Sequence, residues 1–121
     1  NVHATIAAIS SVASLCQGRL IWLAGGVGKG QDFGELSETV SQHVDYVALF
    51  GQSASEIKCR LERVDVEDIR CFQTLNQAVA WIKSFVRCDD VVLLSPACSS
   101  FDQFEHYQAR GSAFMACVQC C

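Results

Sequence analysis

Four apolar runs of strand length, with stretches of helical period between them, constrain this chain more than any other feature of its sequence. The runs are Leu20-Ile21-Trp22-Leu23-Ala24, Tyr46-Val47-Ala48-Leu49-Phe50, Ile69-Arg70-Cys71-Phe72 and Val91-Val92-Leu93-Leu94. Each intervening stretch opens on a capping pattern. Asp32 with Glu35 precedes Leu36 and Val40; Ser53 with Glu56 precedes Ile57, Leu61 and Val64; Thr74 with Gln77 precedes Ala78, Ile82 and Phe85. In each pair a short polar side chain is expected to cap backbone N–H groups while an acid or amide three residues on reaches back, and the apolar residues behind it recur on one helical face. The fourth run is apolar at every position, as in a strand covered on both faces. A polar loop, Ser95-Pro96-Ala97-Cys98-Ser99-Ser100, then leads to a last helix expected over residues 102–117. Strands alternating with helices predict a parallel sheet. Four such units predict an α/β fold with an open, mostly parallel Rossmann-like sheet and helices on both faces in three layers; a closed barrel needs eight units and about twice the length.

Composition narrows the function. With 121 residues, 50% of them hydrophobic and 18% charged, the chain suits one domain with a real core. Nine Lys and Arg against thirteen Asp and Glu, a net charge of −4, argue against a surface built for nucleic acid phosphates or anionic membrane. No apolar run is long enough to span a bilayer, and the first residues carry no secretory signal. The chain does not begin with Met, which leads to the expectation that it lies inside a longer reading frame.

Eight cysteines invite a disulfide framework, but their placement predicts free thiols. Cys16, Cys59, Cys71 and Cys98 stand singly in or beside apolar segments, where a thiol is expected to act as a small buried hydrophobe, and a cytoplasmic, reduced protein follows as the expectation. The terminal Cys117-Val118-Gln119-Cys120-Cys121 has a C-x-x-C spacing without the second ligand pair a zinc site requires, since His3, His43 and His106 supply none. No metal is therefore expected on the chain.

In a doubly wound sheet, ligands bind outside the carboxyl ends of the strands, at the point where strand order reverses. Two loops occupy such ends: Gly25-Gly26-Val27-Gly28-Lys29-Gly30 after the first strand and Ser95 to Ser100 after the fourth. The glycine loop fails both standard nucleotide patterns. A phosphate loop of the Walker type needs Gly at Leu23 and Ser or Thr at Gly30, and the dinucleotide pattern begun at Gly26 breaks at Gln31. That leaves Lys29 as the chemical feature, either a solvated surface lysine or a point charge held by a glycine turn against a carboxylate. Ser100 likewise has two readings, a hydroxyl for a ligand or an N-cap completed by Gln103. If the first and fourth strands lie near one another, the turns at residues 28–30 and 99–101 border one pocket.

Three segments carry a resemblance to a known family. They are Asn1-Val2-His3-Ala4-Thr5-Ile6-Ala7-Ala8, then Leu23 through Phe33 with its glycine-lysine loop, and Leu93 through Phe104 continuing to Tyr107, Arg110-Gly111 and Phe114. Together they are similar to the Mur ligases, and within them to the C-terminal domain of members that add D-glutamate during peptidoglycan synthesis. The resemblance implies that residues 1–16 are a helix left from the central ATPase domain and residues 17–121 the C-terminal amino-acid-binding domain. It also implies that Lys29 and Ser100 contact the carboxylates of D-glutamate and that Phe101 and Tyr107 line its pocket. Asp102, Gln103, Phe104 and Arg110 match the same motif and are expected to fix the last helix and its loop.

For the whole ligase the resemblance implies ATP and Mg2+ as cofactors and UDP-N-acetylmuramoyl-L-alanine as the acceptor. ATP phosphorylates the alanyl carboxylate, and the amine of D-glutamate attacks the acyl phosphate. The chain itself is expected to hold no catalytic residue and to be inactive alone. Two departures stand out: Val27 replaces a residue that is polar in many relatives, and no Gly-Leu-Pro-His-Arg or Asp-Ser-Lys-Ala-Thr-Asn motif lies between Cys16 and Gln17, where the family would lead one to expect them. The alternatives are the corresponding domain of another Mur or folylpolyglutamate-type ligase, and a non-enzymatic nucleotide-binding α/β module.

Overall fold

The computed structural model describes residues 2–25, 33–61 and 63–94. Eight elements follow in order: α1 (Val2–Ala13), β1 (Leu20–Gly25), α2 (Gly34–His43), β2 (Tyr46–Phe50), α3 (Ala54–Arg60), β3 (Asp68–Phe72), α4 (Leu75–Lys83) and β4 (Val91–Leu94). The four strands form one parallel sheet in the order β3-β2-β1-β4.

The alternation within each strand divides the core into two layers, because successive side chains point to opposite faces. Leu20, Trp22 and Ala24 of β1 join Val47 and Leu49 of β2 beneath α1, α2 and α3, with Ile9, Leu36, Val40 and Ile57 as the buried helix residues. Ile21 and Leu23, with Ala48 and Phe50, face α4 through Leu75, Ala78, Val79 and Ile82. The first three strands step outward across the sheet with α2 and α3 on one face. The chain then returns over α4 on the other face and sets β4 beside β1. Crossovers of a single hand require this switch of face when the direction of travel reverses.

Helix α1 packs against α2 and contributes Val2, Thr5 and Ile9 to the buried interior. Residues 14–19 then join it to β1 in a hydrogen-bonded turn: Leu15 N–H donates to Val12 O, Cys16 N–H to Ala13 O and Gly18 N–H to Asp89 O. The junction after Cys16 is thus an ordinary short connection.

Local details both match and correct the sequence reading. Thr74 caps α4 as expected: its side chain accepts from Gln77 N–H at 3.2 Å, and Gln77 Oε1 accepts from Thr74 N–H at 3.3 Å, closing the capping box. Ser53 does stand at the N-cap of α3, but its side chain makes no cap hydrogen bond, so the expected box with Glu56 is absent. The N-cap of α2 is Phe33 rather than Asp32; Ser37 Oγ–H and N–H both donate to the Phe33 carbonyl at 2.9 Å, drawing the first turn onto that residue. Strand β4 is half-buried along its length rather than fully covered, since among the described residues it pairs with β1 alone. The last helix expected over residues 102–117 lies outside the described residues.

The described cysteines are free but not buried. Cys59, Cys71 and Cys88 are exposed and Cys16 is partly exposed. The helical period puts Cys59 on the outer side of α3, away from Ala54 and Ile57, and Cys71 sits on β3, which is exposed at the rim of the described sheet. Their apolar neighbours face inward while they do not. Cys98 and the terminal cysteines lie outside the described residues.

Candidate functional site

The reversal of strand order falls between β1 and β4. Chain order runs β1 to β2 to β3 in one direction, and β4 then lies on the far side of β1. This is the switch point at which open α/β sheets leave a crevice beyond the carboxyl ends of their strands. The register pairs Leu20 with Val91, Ile21 with Val92, Trp22 with Leu93 and Leu23 with Leu94. Both strands therefore end at the same edge, and neighbouring strands lie about 4.8 Å apart. The segments that continue from these two ends begin at Gly26 and Ser95.

The four residues singled out for D-glutamate, Lys29, Ser100, Phe101 and Tyr107, all lie outside the described residues, and so do the turns at 28–30 and 99–101. The described structure brings together the two strand ends from which these residues follow. The condition on which a shared pocket depended, β1 and β4 being close and parallel, is met.

The opposite edge is locked by an ion pair that the sequence reading did not identify. Asp90, just before β4, accepts from Arg19 N–H at 2.8 Å and from the Arg19 guanidinium at 2.6 Å through its Oδ2, and also from Arg87 N–H at 2.9 Å. Arg19 further donates to the Phe85 carbonyl at 3.0 Å and lies over the rings of Tyr46 and Phe85, each centroid 5.4 Å away. The Asp90 side chain is only 3% exposed. Hydrogen bonding from Arg19 pulls its carboxyl from 3.8 down to about 2, and Asp90 in turn raises the Arg19 guanidinium. A Cβ on Gly18 would meet the Asp89 carbonyl oxygen at 2.6 Å and Asp90 Oδ1 at 2.8 Å, which is why a glycine stands there. The sequence signal was an Arg immediately before one strand and an Asp immediately before another, legible only once those strands are known to be neighbours. This clasp fixes the register of β4 on β1.

A polar groove of about 500 Å³ lined by His43, Asp45, Asp65 and Glu67, among others, lies at the amino ends of β2 and β3, away from the switch point. Asp45 is committed to structure there: its Oδ2 accepts from Leu20 N–H at 2.9 Å. Among the described residues no three His, Cys, Asp or Glu side chains are grouped to hold a metal ion. No described helix is long and apolar enough to cross a membrane.

A doubly wound α/β domain whose two candidate ligand loops spring from adjacent strands at the switch point is the class that the fold and site define. Comparison with known proteins makes that class specific. The family model described as "Mur ligase, glutamate ligase domain" matches residues 1–98, ending two residues before Ser100. The chain is 45% identical over 119 residues to the UDP-N-acetylmuramoylalanine--D-glutamate ligase of Hydrogenovibrio crunogenus, 98% of this chain and 26% of that protein. It is 41% identical over the same length to the proteins of that name from Coxiella burnetii and Legionella pneumophila, again 26% of each. The chain belongs to the Mur ligase glutamate ligase domain family. It spans about a quarter of the length of the curated relatives it matches. An alignment of 119 of 121 residues takes in both the Lys29 and the Ser100 loops.

Proposed function

We propose that this chain is the C-terminal domain that seats D-glutamate in an ATP-dependent ligase joining it to UDP-N-acetylmuramoyl-L-alanine in cytoplasmic peptidoglycan synthesis. The observation that carries the reading is the pairing of β1 with β4 at the switch point. It brings together the two strand ends from which the chain continues toward Lys29 and toward Ser100. A lysine ammonium, a serine hydroxyl and backbone N–H groups converging there make a cradle for a carboxylate. Phe101 and Tyr107 are assigned to the pocket wall beside it. The names of the relatives, each a D-glutamate ligase, favour this amino acid over the other substrates of such enzymes.

In this reading residues 17–121 form the amino-acid-binding domain, and residues 1–16, ascribed to the central ATPase domain, bury Val2, Thr5 and Ile9 against it and fall within the stretch that the family model matches. The glycine loop matches neither phosphate-binding sequence pattern, so ATP, and Mg2+ with it, is assigned to the rest of the ligase. The chain's own part in the reaction is to bind the acceptor amino acid and orient its amine, a contribution of positioning.

The test is a ligation assay on the full-length protein that carries this domain, with D-glutamate set against L-glutamate, meso-diaminopimelate and L-lysine. D-Glutamate is expected to be the strongly preferred acceptor; preference for any of the others rejects the assignment. The isolated chain is expected to show no ligation and no release of phosphate from ATP.

A further inference from the structure

At the carboxyl end of β1 is a contact that the D-glutamate reading does not use. Gly25, the last residue of the strand, stands opposite Phe50 in the register of β1 with β2. A Cβ built on Gly25 would lie 2.6 Å from the Phe50 carbonyl oxygen and 2.8 Å from Cε2 and Cζ of its ring. Real Cβ atoms do not approach so closely, so the strand ends flush against this one residue.

Neither part of Phe50 is free to retreat. Its ring is fully buried in the layer formed with Leu75, Ala78 and Val79 of α4. Its carbonyl leads directly into Gly51, which turns with φ of 89° and donates its N–H to the Phe72 carbonyl at 3.1 Å. A positive φ of this size is open to glycine at little cost, and the hydrogen bond to β3 then holds the turn. The wall behind Gly25 is therefore anchored on one side by α4 and on the other by β3. The chain that continues from Gly25 toward Lys29 starts from a point that this wall sets.

We infer that Phe50 is a positioning residue for the amino-acid seat, its ring holding the end of β1 and with it the origin of the Lys29 loop. This rests on the D-glutamate reading above. The ring need not touch the substrate. Interiors pack too closely for neighbours to fill a gap of several carbon atoms, so replacing Phe50 by Leu, which has no atoms at the Cε2 and Cζ positions, leaves Gly25 without its backing. Small displacements of groups that hold a substrate are costly to its capture.

The experiment compares the full-length ligase with its Phe50→Leu and Leu49→Ala variants. Leu49 is the neighbouring residue of β2, fully buried on the opposite face of the sheet, and serves as the control for a general loss of stability. Phe50→Leu is expected to raise KM for D-glutamate about tenfold while KM for ATP and for UDP-N-acetylmuramoyl-L-alanine stay within about twofold. Leu49→Ala is expected to lower the melting temperature and leave all three KM values in place. The inference is overturned if Phe50→Leu leaves KM for D-glutamate unchanged, if it raises the three together, or if Leu49→Ala raises the D-glutamate value equally. Should Phe50→Leu fail to fold, Phe50→Met, closer in volume but without a ring, is read by the same split. A wild-type enzyme that does not ligate D-glutamate rejects the functional reading itself, an outcome distinct from a working enzyme that lacks the split.

Discussion

Leu23 on β1 stands opposite Leu94 on β4 in parallel register. The backbone thus leaves both strands at one edge, β1 running on two residues to Gly25 and β4 ending at Leu94 itself. If Lys29 and Ser100 share a carboxylate there, Lys29→Ala in the full-length ligase raises KM for D-glutamate by roughly 10- to 100-fold, the range for losing a hydrogen bond to a charged group. Ser100→Ala raises it by less, because a neutral hydroxyl gives a weaker bond than an ammonium. Steady-state kinetics with varied D-glutamate checks both, and unchanged KM in both variants rejects the shared seat.

Acid should loosen the clasp between Arg19 and Asp90. The Asp90 carboxyl has its pKa depressed to about 2 by the Arg19 hydrogen bonds, below its ordinary 3.8. Its contribution to stability is therefore complete above the ordinary value and is lost as pH falls through the interval from about 4 to 2. Asp90→Asn should cost about 2 kcal/mol at neutral pH and flatten the acid limb of the melting curve in that interval. Thermal melts of both proteins across this range decide it; parallel acid limbs would show that Asp90 carries none of the dependence.

Thr74 closes a complete capping box on α4. Thr74→Ala is expected to lower stability by about 1 kcal/mol, and Thr74→Ser to retain most of it, because only the hydroxyl is needed. Chemical denaturation at constant slope measures the difference.

All eight thiols are expected to titrate in the denatured, unreduced protein, and among the described cysteines of the native protein Cys59 and Cys88 should react first. Cys71 should lag behind them, since partial burial raises its thiol pKa and lowers the thiolate fraction. Mass spectrometry after timed alkylation gives the order; a thiol count near zero would mean disulfides.

The fold was legible in the sequence where a signal repeats at short range. Three strands begin on the expected residue, β1 at Leu20, β2 at Tyr46 and β4 at Val91, because unbroken apolar runs bounded by polar residues leave little choice. Thr74 with Gln77 was legible because both halves of the box lie within one turn. What failed depended on the surroundings. Asp32 looked like a cap, yet the helix starts at Gly34 with Phe33 as its N-cap, and Ser53 sits at a cap position without making the bond. Cys59 and Cys71 have apolar neighbours in sequence, but face outward on their own elements. For the site, sequence could nominate Lys29 and Ser100 but not the neighbourhood of their strands, which is set by a pairing across the whole domain. Arg19 with Asp90, and Gly25 with Phe50, were invisible for a like reason: the first pair exists only through the pairing of β1 with β4, the second only through that of β1 with β2.

The sheet order has a further consequence for synthesis. Strands β1, β2 and β3 join neighbours nearby in sequence, whereas Arg19 and Asp90 are separated by 71 residues. Pairings of long separation wait for loop closure, so β4 is the last strand to dock. As the chain emerges from the ribosome, a three-stranded core has time to assemble before Val91 is available, and the switch point does not yet exist. A nascent chain halted before β4 would hold helices and core but have no crevice, so the crevice at the switch point is a report that β4 has been made.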